Sequence, residues 1–143
     1  MTLVGVGAIM PEVIAAADEL GAAGIACDVV CLTSPDLIFR ALRARQGLAD
    51  GEDSVLDEAF PADRAAPIVS VIDGHPHTLS FLSAVRCMPI ACLGVDDFGQ
   101  SGDVGDLYHH FGIDADTIAG AAADLLEAHP TPAALRPERA SDA

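Results

Sequence analysis

Short apolar runs alternate with segments of helical periodicity along this chain, and the alternation predicts its secondary structure. The apolar runs predict four strands, at residues 2–6, 25–32, 67–72 and 89–95. Apolar residues spaced three and four positions apart predict helices at residues 11–20, 34–45, 75–86, shortly after Gly102, and at 114–128. Each predicted strand is thus followed by a helix, which is typical of a parallel sheet with helices on both faces.

The predicted helices carry recognisable starts and apolar faces. Ser34 and Pro35 predict a helix start, because a serine hydroxyl can cap free amides and proline suits the first helical position. Asp114 is predicted to cap the last helix. The inward face of the first helix is predicted to contain Val13, Ile14, Ala17 and Leu20. The inward face of the last helix is predicted to contain Ile118, Ala121, Ala122, Leu125 and Leu126.

The predicted fold is α/β, with three layers (α/β/α) around a mostly parallel sheet of about five strands. Residues 47–66, rich in Gly, Asp and Ala, are predicted to be a loop with a turn of helix near 55–60. A fifth, short antiparallel edge strand would fit either this segment or the end of the chain. Residues 1–129 are predicted to form the domain, and residues 130–143, with their prolines and scattered charge, a flexible tail.

Composition narrows the classes of protein to which the chain can belong. Its 143 residues suffice for one hydrophobic core. A formal charge of −15 argues against nucleic acid, whose phosphates are bound by clustered Lys and Arg. The apolar runs are too short for a membrane span, and the N-terminus lacks the basic region of a signal peptide. We expect a cytoplasmic protein whose four cysteines are buried, reduced and structural: Cys27, Cys31, Cys87 and Cys92.

Polar and glycine-rich turns follow the predicted strands, and they hold the candidate chemistry. In a parallel sheet the carboxyl ends of the strands share one edge, so Gly7, Thr33-Ser34, residues 73–75 and residues 96–101 should lie along it. The turn from Gly5 to Gly7 lacks the third glycine of a dinucleotide fingerprint, and a tight entry into the first helix explains it better. Nucleotide binding there is kept as a weak alternative.

The histidines and the acidic pair allow more than one interpretation. His75 and His77 flank Pro76 and would suit metal binding, proton transfer or interface hydrogen bonds, but a helix-start turn is the simplest explanation. One of the neighbours His109 and His110 is explained by the dipole at a helix end, which leaves the other to face a partner. The adjacent acids at 96 and 97 most often cap the backbone of a turn. From these residues alone we predict no catalytic, cofactor-binding or metal site.

The most specific motif lies in residues 96–111, where the turn Asp-Asp-Phe-Gly-Gln-Ser precedes Leu-Tyr-His-His-Phe. It resembles the Asp-Gly-Phe-Gly-x-Ser…Leu-x-x-His-Phe segment in the C-terminal domain of thiamine-diphosphate enzymes of the transketolase superfamily. The homodimeric decarboxylating component of pyruvate dehydrogenase is the most similar branch. Residues 2–9, the Ala-Ala-x-x-Leu segment at 16–20 and residues 29–34 look like the start of that domain.

Departures from the family pattern bear on substrate. Asp97 stands where the pyruvate dehydrogenase pattern has glycine, and Val104 and Tyr108 stand where arginines are usual. An anion contact by those arginines is therefore not expected here. The thiamine-diphosphate motif Gly-Asp-Gly…Asn-Asn and the domain with the catalytic glutamate are also missing. The resemblance implies that cofactor and Mg²⁺ belong to the assembled enzyme and that this chain alone is inactive.

The resemblance implies a C-terminal assembly domain or subunit of a thiamine-diphosphate enzyme, either a 2-oxo acid (pyruvate) dehydrogenase or a transketolase-type enzyme. Its partners would be the missing cofactor-binding and pyrimidine-binding domains, within a homodimer or hetero-oligomer. The alternative is a free-standing, non-catalytic binding or regulatory module with the same fold. Contact with partner domains, or the active-site entrance, is predicted at His75, His77, Asp96, Phe98, Gln100, Ser101 and His109.

Overall fold

A parallel four-stranded sheet forms the middle layer of this computed structural model, which describes residues 1–130. The strands are β1 (Thr2–Val6), β2 (Asp28–Cys31), β3 (Ile68–Ile72) and β4 (Ile90–Leu93). Their order across the sheet is β2-β1-β3-β4, so β2 and β4 are the edges. Thr2 lies level with Asp28 on one side and with Ile68 on the other, which aligns the amino ends of three strands.

Helices cover both faces of this sheet. They are α1 (Met10–Ala22), α2 (Pro35–Arg45), α3 (Ser54–Ala59), α4 (Ser83–Arg86), α5 (Val104–His110) and α6 (Ala115–Ala128). Short 3₁₀ segments span Gly7–Ile9, Ala62–Arg64 and Pro76–Leu82. Helices α1 and α6 pack on one face, while α2, α3, α4 and the Pro76–Leu82 segment pack on the other. The three-layer α/β/α prediction is thereby confirmed.

The central strands β1 and β3 are apolar except for Thr2 and Ser70, because both of their faces are covered. In β1, Leu3 points into the core beneath α1 and α6, and its neighbour Val4 points into the core beneath α2 and α3. In β3 the same alternation places Val69 on the first face and Ile68 on the second. Side chains of successive strand residues point to opposite faces, so a strand buried on both sides needs an unbroken apolar run.

Local sequence signals predicted the helix positions well, but they predicted the capping bonds and the buried faces less accurately. Asp114 caps α6 as predicted, its carboxylate accepting a 3.0 Å hydrogen bond from the Thr117 N–H. Helix α2 starts at Pro35, but Ser34 makes no side-chain capping bond. In α1 the buried residues are Val13, Ala16 and Leu20, whereas Ile14 is 50% exposed. The buried face of α1 is therefore rotated slightly from the predicted one.

Three expectations need correction. The sheet has four strands within residues 1–130, where about five were expected. Of the two places suggested for a further edge strand, residues 47–66 hold α3, close to the predicted helical turn, and the Ala62–Arg64 segment, and the end of the chain lies outside the described residues. The predicted helix at 75–86 is mostly 3₁₀, with one α-turn at its end. The cysteines are free as expected, but Cys31 is exposed on edge strand β2 and Cys87 is exposed beyond α4. The predicted tail, from residue 131 onward, lies outside the described residues.

Candidate functional site

The turns that follow β3 and β4 are joined at the carboxyl edge of the sheet. The Val95 N–H donates a 2.7 Å hydrogen bond to the Gly74 carbonyl, which links the two turns directly. Gly94 packs against the same turn so closely that a Cβ there would lie 2.9 Å from the Pro76 nitrogen. Real Cβ atoms do not approach other atoms that closely, so glycine is required at position 94. The sheet edge therefore positions both groups of predicted site residues side by side.

His75 and His77 form a contacting pair on the first of these turns. The His77 N–H donates to Nδ1 of His75 at 3.3 Å, and the Nδ1 atoms of the two rings face each other in contact. Their ring centroids lie 4.3 Å apart and both side chains are exposed. Pro76 begins the 3₁₀ segment between them, and the two rings meet edge to face. The turn-start interpretation is realised, and the pair still offers its outer nitrogens to a partner.

The second turn is a fully exposed loop. All residues from 96 to 106 are exposed, and Phe98 is 97% exposed. Asp97 turns back on its own backbone, where Oδ1 accepts a 2.7 Å hydrogen bond from the Phe98 N–H. Asp96, Gln100 and Ser101 flank the aromatic ring along the chain. The predicted contact residues of this turn are thus presented outward together.

His109 belongs to a different part of the same edge. It lies in the last turn of α5 and pairs through Nδ1 with Oδ2 of Asp114 at 2.6 Å. The hydrogen bond and charge of Asp114 raise the pKa of His109. Partial burial alone would raise the pKa of Asp114, but hydrogen bonds from Thr117 and His109 outweigh burial and lower it. The helix-end interpretation of one histidine is therefore realised at His109, reinforced by a carboxylate.

A long-range contact places this pair at the carboxyl edge. The Ala115 N–H, at the start of α6, donates a 2.9 Å hydrogen bond to Oε2 of Glu12 in the first turn of α1. Helix α1 starts just beyond the carboxyl end of β1, so α6 begins at that end of the sheet as well. Helix α6 packs over β3 and β4, the two strands that carry the histidine turn and the exposed loop. All the predicted site residues therefore lie at one end of the molecule.

The glycine turn after β1 has a structural explanation. A Cβ on Gly5 would lie 2.6 Å from Sδ of Met10 and 2.9 Å from Cγ2 of Val13, so Gly5 allows α1 to pack on β1. Gly7 has φ of +68°, a backbone conformation that favours glycine. These contacts favour the packing interpretation over nucleotide binding.

A cavity of about 450 Å³ lies beside edge strand β2, all four residues of which line it. Thr2 and Ile68, the first residues of β1 and β3, contribute to its lining as well. Two of its lining residues, Arg64 and Asp28, form a 2.9 Å ion pair. Most of the remaining lining is apolar and comes from β2, α3 and residues 59–66. None of the predicted site residues lines this cavity.

An ion-pair cluster beside this cavity was not found by sequence reasoning. Asp57 of α3 accepts hydrogen bonds from Arg45 of α2 and from Arg86 of α4. Hydrogen bonds from Arg86 and then Arg45 lower the pKa of Asp57, and bonds to Asp53 and then Asp57 raise the pKa of Arg45. Arg86 also donates through Nε to the Phe60 carbonyl at 2.6 Å. Partners 12 and 29 residues from Asp57 leave no local sequence signal.

Cofactor and metal chemistry can be judged from the donor groups present. Within residues 1–130, no cluster of three or more His, Cys, Asp or Glu side chains is arranged to hold a metal ion. The helices described here include none with the length and apolar character needed to cross a membrane. The arrangement at the carboxyl edge offers exposed aromatic, imidazole and carboxylate groups. It is suited to contact with another protein surface.

Comparisons with known proteins identify the relatives of this fold. A family model described as the transketolase-like TK C-terminal domain matches residues 1–114. The chain is similar to a split-gene transketolase solved as an inactive beta4 tetramer, with 25% identity and a TM-score of 0.66, covering 88% of this chain and 38% of the other. Transketolase from Campylobacter jejuni subsp. jejuni NCTC 11168 shares the fold, with 19% identity and a TM-score of 0.60, covering 86% of this chain and 16% of the other. No curated protein sequence matches.

Proposed function

The chain belongs to the transketolase-like C-terminal domain family, and we propose on this basis that it acts as the C-terminal assembly domain or subunit of a thiamine-diphosphate enzyme. The observation that carries the proposal is the match of residues 1–114 to that family, together with the fold shared with a split-gene transketolase. The chain spans 38% of that relative's length and 16% of the other's. The activity, substrates and partners of a whole enzyme are accordingly part of the proposal.

The proposed reaction class is either transfer of a two-carbon unit or decarboxylation of a 2-oxo acid such as pyruvate. Residues 96–111, with their resemblance to pyruvate dehydrogenase, support the second reaction. Asp97, Val104 and Tyr108 depart from that pattern, and both solved relatives named above are transketolases. The substrate class is therefore to be determined by measuring turnover of the assembled enzyme with each type of substrate.

Thiamine diphosphate and Mg²⁺ fit poorly on this chain by itself. The carboxylates at the carboxyl edge are spread along an exposed loop and do not gather into a cation site. The Gly-Asp-Gly…Asn-Asn motif is missing from the sequence. We assign the cofactor to the cofactor-binding and pyrimidine-binding domains of the partner, and no chemical step to residues of this chain. A cytoplasmic location stays a prediction from the sequence.

The proposed contact surface is the carboxyl edge. Phe98 is proposed as its apolar centre, since its side chain is almost fully exposed. Burying such a side chain in an interface would contribute about 1.5–3 kcal/mol to the free energy of binding. Interface energy commonly concentrates in such an aromatic group, with polar neighbours excluding water around it. The exposed polar residues proposed for this role are His75, His77, Asp96, Gln100, Ser101 and His109.

A free-standing, non-catalytic module with the same fold is the second candidate. Val104 and Tyr108 favour it, since they replace arginines usual in the enzyme family. The two candidates differ in one measurable property: an enzyme subunit restores turnover to the missing domains, and a free-standing module does not.

The test combines this chain with a separately produced polypeptide that carries the two missing domains from the same source. Size is measured by light scattering for each protein alone and for the mixture. Turnover is measured with thiamine diphosphate and Mg²⁺, using a 2-oxo acid in one assay and a ketose-phosphate donor with an aldose-phosphate acceptor in the other. We expect a complex and turnover only in the mixture. A chain that neither associates nor restores turnover would favour the free-standing module.

A further inference from the structure

We propose that the exposed 96–106 loop docks onto a basic partner surface that contains an apolar pocket for Phe98. This inference rests on the proposed function and adds the chemistry of the partner's surface to it. Eleven consecutive exposed residues form the loop, and Phe98 is the most exposed large apolar side chain of the described residues. Val104, 59% exposed, adds a second apolar group at the end of the loop.

The charge of the chain is unevenly distributed around this loop. Residues 87–130 contain eight acidic residues and no Lys or Arg, so their formal charge is −8. All five arginines of the described chain lie between residues 40 and 86, and each is bonded to a carboxylate or a backbone carbonyl within residues 28–57. The acids of the loop itself are Asp96, Asp97, Asp103 and Asp106. A partner of opposite charge is therefore the complementary one.

The same charge argues against a second copy of the chain as the occupant. Two copies meeting through this loop would bring eight loop carboxylates together, with no Lys or Arg from residues 87–130 to balance them. Like charges placed against each other at an interface repel and disfavour association, whereas basic groups would turn the same carboxylates into attractive contacts. The observations therefore favour a different, basic surface.

Both ends of the loop are fixed, which suits it for docking. At the first end, Val95 bonds to Gly74 and Gly94 packs against Pro76. At the second end, the Leu107 N–H donates to the Asp103 carbonyl at 3.0 Å and begins α5. A side chain presented from a loop with fixed ends loses less conformational freedom on binding than one on a free segment.

The experiment measures association between this chain and the polypeptide carrying the missing domains, by surface plasmon resonance at 50 and 500 mM NaCl. Phe98→Ala removes the proposed apolar centre, and Leu48→Ala, another exposed apolar residue distant in sequence, is its control. The double substitution Asp96→Asn/Asp97→Asn removes two loop charges. Its control is Asp50→Asn/Asp63→Asn, which changes net charge equally at exposed positions elsewhere.

We expect Phe98→Ala to weaken binding by about 10-fold or more, as for an aromatic group at the centre of an interface. Added salt and the loop double variant should each slow association by about 3- to 10-fold, because electrostatic steering is lost. Each control should change binding by less than about 2-fold. If binding is unchanged by added salt, by Phe98→Ala and by the loop double variant, the inference is overturned while the proposed function stands.

Two further outcomes are decisive. If the wild-type chain fails to bind the missing domains at either salt concentration, the proposed function fails and this inference fails with it. If the chain forms a dimer by itself and Phe98→Ala abolishes that dimer, the loop's occupant is a second copy and the basic-partner proposal is wrong. Circular dichroism of each variant checks that the fold is kept.

Discussion

Gly94 and Pro76 lie so close together that a single Cβ on Gly94 would come within 2.9 Å of the Pro76 backbone nitrogen. This contact sets the separation of the turns after β3 and β4, and hence the relative position of His75, His77 and the exposed loop. Gly94 has no positive φ, so its requirement is one of space and not of backbone conformation.

Gly94→Ala should lower the free energy of unfolding by about 1–3 kcal/mol, because an added methyl group in a packed site forces neighbouring backbone apart. Gly120→Ala is the matched control, since a Cβ there meets open space on an exposed face of α6. The control should raise stability by about 0.5–1 kcal/mol, through improved helix propensity. Urea unfolding of both variants provides the measurement. If Gly94→Ala unfolds at the same urea concentration as wild type, the close contact between Gly94 and Pro76 is contradicted.

The His109–Asp114 pair predicts a specific pH dependence of stability. The pKa of His109 is raised above its ordinary 6.5 in the folded chain, so folding favours the protonated imidazole. Its contribution is complete below the unfolded pKa of about 6.5 and is lost as pH rises through the higher folded pKa. His109→Gln should therefore be less stable than wild type at pH 5.5 and equal to it at high pH.

The control for this prediction is His110→Gln, which changes the neighbouring exposed residue of α5 and leaves the pair with Asp114 intact. It should keep the wild-type pH dependence. Nuclear magnetic resonance titration of the His109 ring measures the raised pKa directly. A His109 that titrates at its ordinary value would show that the ion pair does not persist in solution.

Asp57 predicts the opposite pH dependence at the acid end. Its pKa is lowered from an ordinary 3.8 by Arg86 and Arg45, so folding favours the ionised carboxylate. The contribution is complete above the unfolded value and lost as pH falls through the lower folded pKa. Asp57→Asn should be less stable than wild type at pH 7, and the difference should shrink below about pH 3.8. Asp63→Asn, an exposed acid near α3, should show no such difference.

Replacing Ser70 of β3 by alanine is predicted to leave the stability of the protein unchanged or to raise it. Its hydroxyl is buried and has no hydrogen-bond partner among the described residues. Ser70→Ala removes that unpaired group, so we expect stability to be unchanged or higher by up to about 1 kcal/mol. Ser80→Ala is the contrasting variant, because its hydroxyl donates a 2.8 Å bond to the His77 carbonyl. It should lose about 0.5 kcal/mol, as a net hydrogen bond at an exposed site. A clear loss on Ser70→Ala would show that a partner, such as a bound water, satisfies the hydroxyl.

The sequence by itself determined the layers of this protein and most of its elements. Short, nearly continuous apolar runs bounded by glycines and polar turns predicted strands covered on both faces, and β1 begins and ends where the pattern predicted. Asp114 was recognisable as a cap because its partner Thr117 is only three residues away. The motif at 96–111 indicated the family because its order is local to one turn and one helix. Each of these signals acts over a few residues.

Only the tertiary structure decided what depends on distant neighbours. Cys31 was expected to be buried, but β2 is an edge strand, and strand order does not follow from a run of apolar residues. Asp57 gave no signal in the sequence, because its role depends on Arg45 and Arg86 from two other helices. The closeness of Gly94 to Pro76 likewise arises only when two turns meet at the edge of the sheet. Local chemistry sets which elements form, and long-range packing sets which of their side chains meet.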